Sequence, residues 1–222
     1  MKKKSVSRLA AACVFLALFL CITALVIFAD RRPVGPENSV VGLGGINRAI
    51  ADRIGTNMIC YDISKYLGFI SFGVAGFFGL LGICQWIARR SLKAVNVDLF
   101  VTFGLYVVVL GIYFFFEKCI INYRPVILDE GLEASFPSTH TMLGLTVFLS
   151  AAVWFAQNIS RPALRRTLIA VFSAAAIVTV VCRALSGVHW ITDIVASIFL
   201  GLFLVFLYDG ILLKIKERKL SV

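Results

Sequence analysis

The chain holds only two histidines, and both lie among residues able to do nucleophilic or acid–base chemistry. His140 closes the run Phe136-Pro137-Ser138-Thr139-His140, and His189 opens His189-Trp190-Ile191-Thr192-Asp193, six residues after Arg183. Imidazole is the side chain that serves as nucleophile or general acid near neutral pH. His189 and Asp193 are four apart, so on a helix they share one face, a turn apart. A carboxylate beside an imidazole fixes its tautomer and stabilises its cation. Arg183 offers a planar fork suited to phosphate oxygens, and Gly187 lets the chain turn between them. The same triplet also fits an Arg–Asp pair that holds a bundle together, with His189 at an interface.

Two further clusters carry chemistry. Pro137-Ser138-Thr139 at the start of an apolar run marks a helix N-terminus. Free backbone N–H groups and the helix dipole make such an end an anion site, with His140 in its first turn. Ordinary capping by Ser138 or Thr139 beside a surface histidine is the plainer account. Lys118 and Arg124-Pro125 place two cations beyond the end of the preceding apolar run, where they suit a phosphate or lipid headgroups.

The elements that position these residues follow from composition. The 222 residues are 60% hydrophobic, with mean hydropathy +0.93; a soluble domain is nearer half apolar. Six apolar runs, roughly 9–29, 66–88, 99–116, 140–157, 167–185 and 191–213, are long enough to cross a bilayer core. The expected fold is all-α, a polytopic membrane bundle of six helices, and residues 1–222 are taken as one domain. The basic Lys2-Lys3-Lys4 start resembles a signal peptide, but its apolar stretch is too long and Ile27-Phe28-Ala29 is a poor cleavage site, so the first run is read as a retained helix.

The net charge of +10 orients the spans. Four cations precede the first (Lys2, Lys3, Lys4, Arg8), three follow the second (Arg89, Arg90, Lys93), three follow the fourth (Arg161, Arg165, Arg166) and four end the chain (Lys214, Lys216, Arg218, Lys219). These account for 14 of the 22 Lys and Arg, leaving eight for the longer loops on the other side. Positive residues mark the cytoplasmic side, so both termini are expected in the cytoplasm and the histidines on the outer face. No basic cluster with interleaved aromatics points to nucleic acid.

Three outer segments hold almost every polar group that can do chemistry. Residues 30–65 begin with the turn signals Pro33-Val34-Gly35-Pro36 and continue into an amphipathic stretch, Ile46 to Ile54, expected as an outer helix that lies along the membrane interface or packs on the bundle. Residues 117–138 carry Glu117, Lys118, Arg124, Asp129, Glu130 and Glu133. The last connection is short, centred on Leu185-Ser186-Gly187-Val188. Of six cysteines, Cys13, Cys21, Cys84 and Cys182 read as packing residues; no spacing rule pairs Cys60 with Cys119. No metal-ligand cluster is visible.

In order, the three polar clusters resemble the signature of the type-2 phosphatidic acid phosphatase superfamily, which includes vanadium haloperoxidases: Lys, six residues, Arg-Pro; then Pro-Ser-x-His; then Ser-Arg, five residues, His, three residues, Asp. The second matches at Pro137, Ser138 and His140, and the third at Arg183, His189 and Asp193. The resemblance covers about residues 45–213. It departs at Cys182, where the family has Ser, and at Glu117, which stands in the lysine position while Lys118 is shifted by one residue. That shift is about 100° around a helix, a turn that the flexible lysine stem can offset.

The resemblance implies an integral-membrane, metal-independent phosphatase without cofactor. His189 attacks phosphorus, Asp193 orients it, His140 protonates the leaving oxygen, and Arg124, Arg183, Ser138 and Lys118 hold the phosphoryl oxygens. The implied partners are membrane lipids and a lipid phosphate substrate: undecaprenyl pyrophosphate first, with phosphatidylglycerophosphate and phosphatidic acid as alternatives. A lipid phosphotransferase uses the same intermediate. A transporter or scaffold needs neither histidine, and the scarcity of charge within the spans disfavours an ion path. The hydropathy disfavours a soluble haloperoxidase.

Overall fold

A computed structural model describes residues 2–128 and 131–219, with Lys2 and Lys3 as backbone only; Asp129 and Glu130, two charges of the 117–138 connection, lie outside the described residues. The described α-helices are α1 (Lys2–Phe28), α2 (Gly44–Ile54), α3 (Met58–Arg89), α4 (Val97–Lys118), α5 (Thr139–Asn158), α6 (Pro162–Leu185) and α7 (Ile191–Lys219). All but α2 are long and apolar enough to cross a membrane. The six expected spans therefore form as six helices, and the amphipathic stretch forms α2.

The boundaries differ most where polar residues continue a helix past its apolar run. α3 begins eight residues before position 66, because Asn57 caps it, its side chain accepting from the Cys60 N–H at 3.1 Å. Its 32 residues span about 48 Å, well beyond a hydrocarbon core of about 30 Å, so its first turns can be polar. α7 likewise runs on to Lys219. The turn signals after Asp30 separate two short strands, β1 (Arg32–Pro33) and β2 (Val40–Val41), paired antiparallel with Arg32 opposite Val41.

α5 is the central helix. In its most apolar stretch 78% of residues are buried, against 17 to 22% for α1, α3, α4 and α6. It packs against α3, α4, α6 and α7, while α1 lies along α7. Small residues allow close approach: a Cβ on Gly144 would stand 2.7 Å from Thr179 of α6, and one on Gly201 2.9 Å from Leu145 of α5. Phe78, Trp154 and Phe155 fill the centre edge-to-face or tilted, with Phe78 and Trp154 centroids 5.3 Å apart. Large apolar side chains such as Phe69, Phe103, Phe114 and Ile177 stay exposed on the outer helices, as lipid-facing surface requires.

Far from the histidines, Arg8 pairs with Asp209 at 2.9 Å and Lys216 with Asp98 at 3.4 Å. These contacts tie α1, α4 and α7 together where the basic ends of the helices gather. At the other end, connections fold over the bundle. Tyr123 bridges to Ala134, Arg124 N–H donates to the Glu133 carbonyl at 3.1 Å and Ser135 N–H to the Asn122 carbonyl at 2.9 Å. The α6–α7 turn is pinned by Asn57 N–H donating to the Ser186 carbonyl at 3.1 Å.

α2 packs against α7 and β1. Its buried anchor is polar: the Asn47 amide donates to the Gly42 carbonyl at 2.9 Å and to Thr192 Oγ1 at 3.0 Å, and accepts from the Thr192 N–H at 3.4 Å. Ile46 and Ile54 of the same helix remain exposed.

Candidate active site

The ends of α4, α5, α6 and α7 and the first turns of α3 meet around His189. Its ring is fixed by opposed partners. Arg183 Nη2 lies 3.2 Å from His189 Nε2, and a guanidinium can only donate, so Nε2 is the acceptor and carries the lone pair. The proton is then on Nδ1, which donates to the Ser135 carbonyl at 3.1 Å. This tautomer, assigned from its partners, puts the lone pair on the nitrogen that faces Arg183.

Asp193 is fully buried. Its Oδ2 lies 3.7 Å from His189 Nδ1, outside hydrogen-bond range. Ser135 closes the gap: its hydroxyl donates a short hydrogen bond to Asp193 Oδ2 and sits 3.1 Å from His189 Nδ1. The Trp190 N–H also donates to Oδ2, at 3.0 Å. His189 lies in the turn before α7 rather than on the helix with Asp193, so the two come close without sharing a helix face, and the carboxylate reaches the imidazole through a serine that the motif reading does not include. Burial first, then the charges of Arg183, Arg124 and His140, hold His189 well below its ordinary value, so the ring is neutral at pH 7.

Arg183 is buried, at 1% exposure, and pairs with no carboxylate among the described residues. Nη1 lies 3.5 Å from Ser64 Oγ, the guanidinium sits 5.2 Å from the centre of the Tyr61 ring, and Nε has no hydrogen-bond partner. A buried charge left this way is costly unless an anion completes it. Arg124 is also buried; its Nη1 pairs with Glu133 Oε2 at 2.9 Å and its Nε donates to the Ala134 carbonyl at 3.4 Å.

His140 is the second residue of α5. Its Nδ1 is buried without a partner, its ring lies 6.0 Å from that of Tyr113, and Gly68 packs against it so closely that a Cβ there would stand 3.2 Å from Cδ2. A cleft of about 470 Å³ opens beside it, lined among others by Tyr61, Lys65, Tyr113, Glu117, Arg124 and Glu133.

The remaining expected residues are placed differently. Ser138 precedes α5 as anticipated, but it is fully buried, its hydroxyl 2.9 Å from Thr141 Oγ1 and its carbonyl accepting from Ser197 Oγ at 2.8 Å. It does not line the cleft and makes no side-chain cap. Lys118 ends α4 exposed, outside the cleft lining. Glu117 lines the cleft instead and accepts from Thr139 Oγ1 at 2.9 Å. The residues that motif spacing misses are Ser135, Tyr61, Ser64 and Lys65. Only the i, i+3, i+4 spacing of the last three, in the polar first turns before the second apolar run, carries a signal of a shared face. All six cysteines are free. Among the described residues no three His, Cys, Asp or Glu side chains gather as a metal site.

A family model, that of the PAP2 superfamily, matches residues 113–214. That segment, a little under half of the chain, is similar to the PAP2 superfamily. It contains Arg124, Ser138, His140, Arg183, His189 and Asp193 and excludes Tyr61, Ser64 and Lys65. The whole fold is similar to the crystal structure of a transmembrane PAP2-type phosphatidylglycerolphosphate phosphatase from Bacillus subtilis, with a TM-score of 0.61 and 17% identity, over 92% of this chain and 96% of that one. The shared fold includes the helices before residue 113. No curated protein matches the sequence.

Proposed function

We propose that the chain is an integral-membrane phosphatase that cleaves a phosphate or pyrophosphate ester of a lipid through a phosphohistidine. The observation that carries this reading is Arg183: a buried guanidinium, unpaired with any described carboxylate, held against the lone pair of a neutral imidazole. A phosphoryl group entering there meets a nucleophile and a bidentate clamp together.

His189 Nε2 forms the bond to phosphorus as the bond to the leaving oxygen breaks. His140 gives that oxygen a proton. The ring of His189 becomes cationic; its Nδ1–H stays on the Ser135 carbonyl, and Asp193 stabilises the charge through the Ser135 hydroxyl. Water then attacks phosphorus, losing its proton to His140, and the N–P bond breaks to return Nε2 its lone pair. Arg124 and Arg183 neutralise the oxygens throughout. Phosphoryl transfer asks for little beyond such positioning and charge, and this donor set works without a metal.

The substrate remains the set named from the resemblance: undecaprenyl pyrophosphate, phosphatidylglycerophosphate or phosphatidic acid. The likeness to the B. subtilis phosphatidylglycerolphosphate phosphatase supports the second. The charge asymmetry supports a site on the outer face, with both termini cytoplasmic.

The test is phosphate release from these three lipids by purified protein in detergent containing excess EDTA. Release by the native chain and none by a folded His189→Ala variant is expected. Activity that needs added Mg²⁺, or a fully active His189→Ala variant, removes the mechanism. Release without any acceptor separates hydrolysis from phosphotransfer.

A further inference from the structure

The geometry points to Lys65 of α3 as the third cation of the phosphate cradle, supplying the charge that the resemblance led us to expect from Lys118. The inference rests on the proposed phosphatase function.

Tyr61, Ser64, Lys65 and Gly68 follow i, i+3, i+4, i+7 and so form one stripe of α3. Each of the other three touches the site. The Tyr61 ring underlies Arg183 at 5.2 Å, Ser64 Oγ lies 3.5 Å from Arg183 Nη1, and Gly68 packs on His140. Lys65, in the middle of that stripe, lines the same cleft as Arg124 and His140. Its ammonium lies 5.9 Å from the centre of the ring that also carries Arg183. It forms no ion pair among the described residues, so its charge is not already taken up by a carboxylate there.

α4 supplies the opposite charge. Glu117 faces the cleft where motif spacing calls for lysine, Glu133 stands at the same mouth, and Lys118, one residue on, is exposed away from it. Two carboxylates beside a phosphate dianion are repulsive, and Lys65 in the same cleft offsets them. A lysine stem is long enough to sit among apolar neighbours and still extend its head to polar surroundings, which suits a residue just inside the end of a membrane helix.

The ligand chemistry is a phosphoryl group, presented by a lipid headgroup or as free phosphate. The test therefore has two arms on Lys65→Ala, Lys65→Arg, Lys118→Ala and the native chain, each confirmed as folded by its melting profile. One arm measures kcat and KM on the best lipid phosphate. The other measures equilibrium binding of inorganic phosphate by calorimetry, which needs no turnover and reads Lys65 even if no tested lipid is hydrolysed. Lys65→Ala is expected to lower kcat/KM about ten- to a hundred-fold, somewhat less than loss of a fully buried oxyanion donor, and to weaken phosphate binding. Lys65→Arg, which keeps the charge, should recover most of both. Native phosphate binding by Lys65→Ala overturns the inference, as does a Lys118→Ala variant that is damaged while Lys65→Ala is not. An inactive native chain that still binds phosphate through Lys65 would fault the phosphatase reading alone.

Discussion

Ser135 touches both members of the His189–Asp193 pair, with its carbonyl on Nδ1 and its hydroxyl on the carboxylate. Removing that hydroxyl leaves a buried carboxylate short of one donor and breaks its link to the imidazole. Ser135→Ala should lower kcat by about 1.5–3 kcal/mol of transition-state stabilisation, the scale of a hydrogen bond to a charged group, with KM little changed; single-turnover kinetics check this, and an unaltered kcat would return Asp193 to a direct role. A second prediction concerns protons. Burial, Arg183, Arg124 and His140 keep His189 below the usual 6.5, so below that pH the unfolded chain takes up a proton that the folded chain refuses. Stability should then fall as pH drops through about 6.5, by up to about 1.4 kcal/mol per unit. Melting in detergent between pH 7.5 and 5, with His189→Gln as the flattened comparison, measures it; identical slopes in both chains would count against it. The histidines, Asp193 and both arginines were legible because polar residues are scarce in so apolar a sequence. Ser135 was not, since one serine beside Phe136-Pro137 carries no periodic signal, and its partners lie 54 and 58 positions away.

Among the elements, the α6–α7 turn has little room to vary. Gly187 adopts φ +68°, and a Cβ there would lie 1.9 Å from the Gly55 carbonyl oxygen. Gly187→Ala must therefore move the backbone that presents His189, and it should cost well over the roughly 1–3 kcal/mol of left-handed strain alone, with activity lost in step. Gly55→Ala, at a similar φ of +66° but facing open space, isolates the strain. Equal melting temperatures for the two variants would show that the close contact yields freely. The six spans were readable from hydropathy because a bilayer sets both their length and their composition. The early start of α3 was not, because Asp62, Ser64 and Lys65 break the apolar run without breaking the helix. The strand pair β1–β2 escaped for the opposite reason: two residues each are too few to show alternation, and only the intervening turn residues were visible.

For the whole molecule, six antiparallel spans place both chain ends opposite the histidines, and the proposed orientation, cytoplasmic termini, rests on the charge split. Asp52 sits exposed on α2 near its C-terminal end. A cysteine replacing it should react with an impermeant thiol reagent in intact cells, beyond the background of the native cysteines; labelling only after lysis would invert the orientation. The bundle's membership of spans could be foreseen, whereas its internal order could not. That α5 is central while α1 stands outside against α7 depends on small-residue contacts, Gly144 on Thr179, Gly201 on Leu145 and Gly210 on Leu9, which pair positions that nothing in one sequence connects. The swap of charge at the cleft is of the same kind: Glu117 and Lys65 are far apart in the chain and share a wall only after α3 and α4 have packed.

That wall changes character within one turn. Lys65 lines the cleft beside Phe69, an exposed phenylalanine four residues on, and Ile120 faces them from the α4–α5 connection. Under the proposed function, a headgroup seated among the cations has its acyl or prenyl chain pointed along surface already suited to hydrocarbon. Such a molecule has no reason to leave its leaflet before it reacts. Under the proposed function, the quantity that governs encounter is its mole fraction in the two-dimensional fluid rather than its molarity in water, and inert lipid slows the reaction by dilution alone.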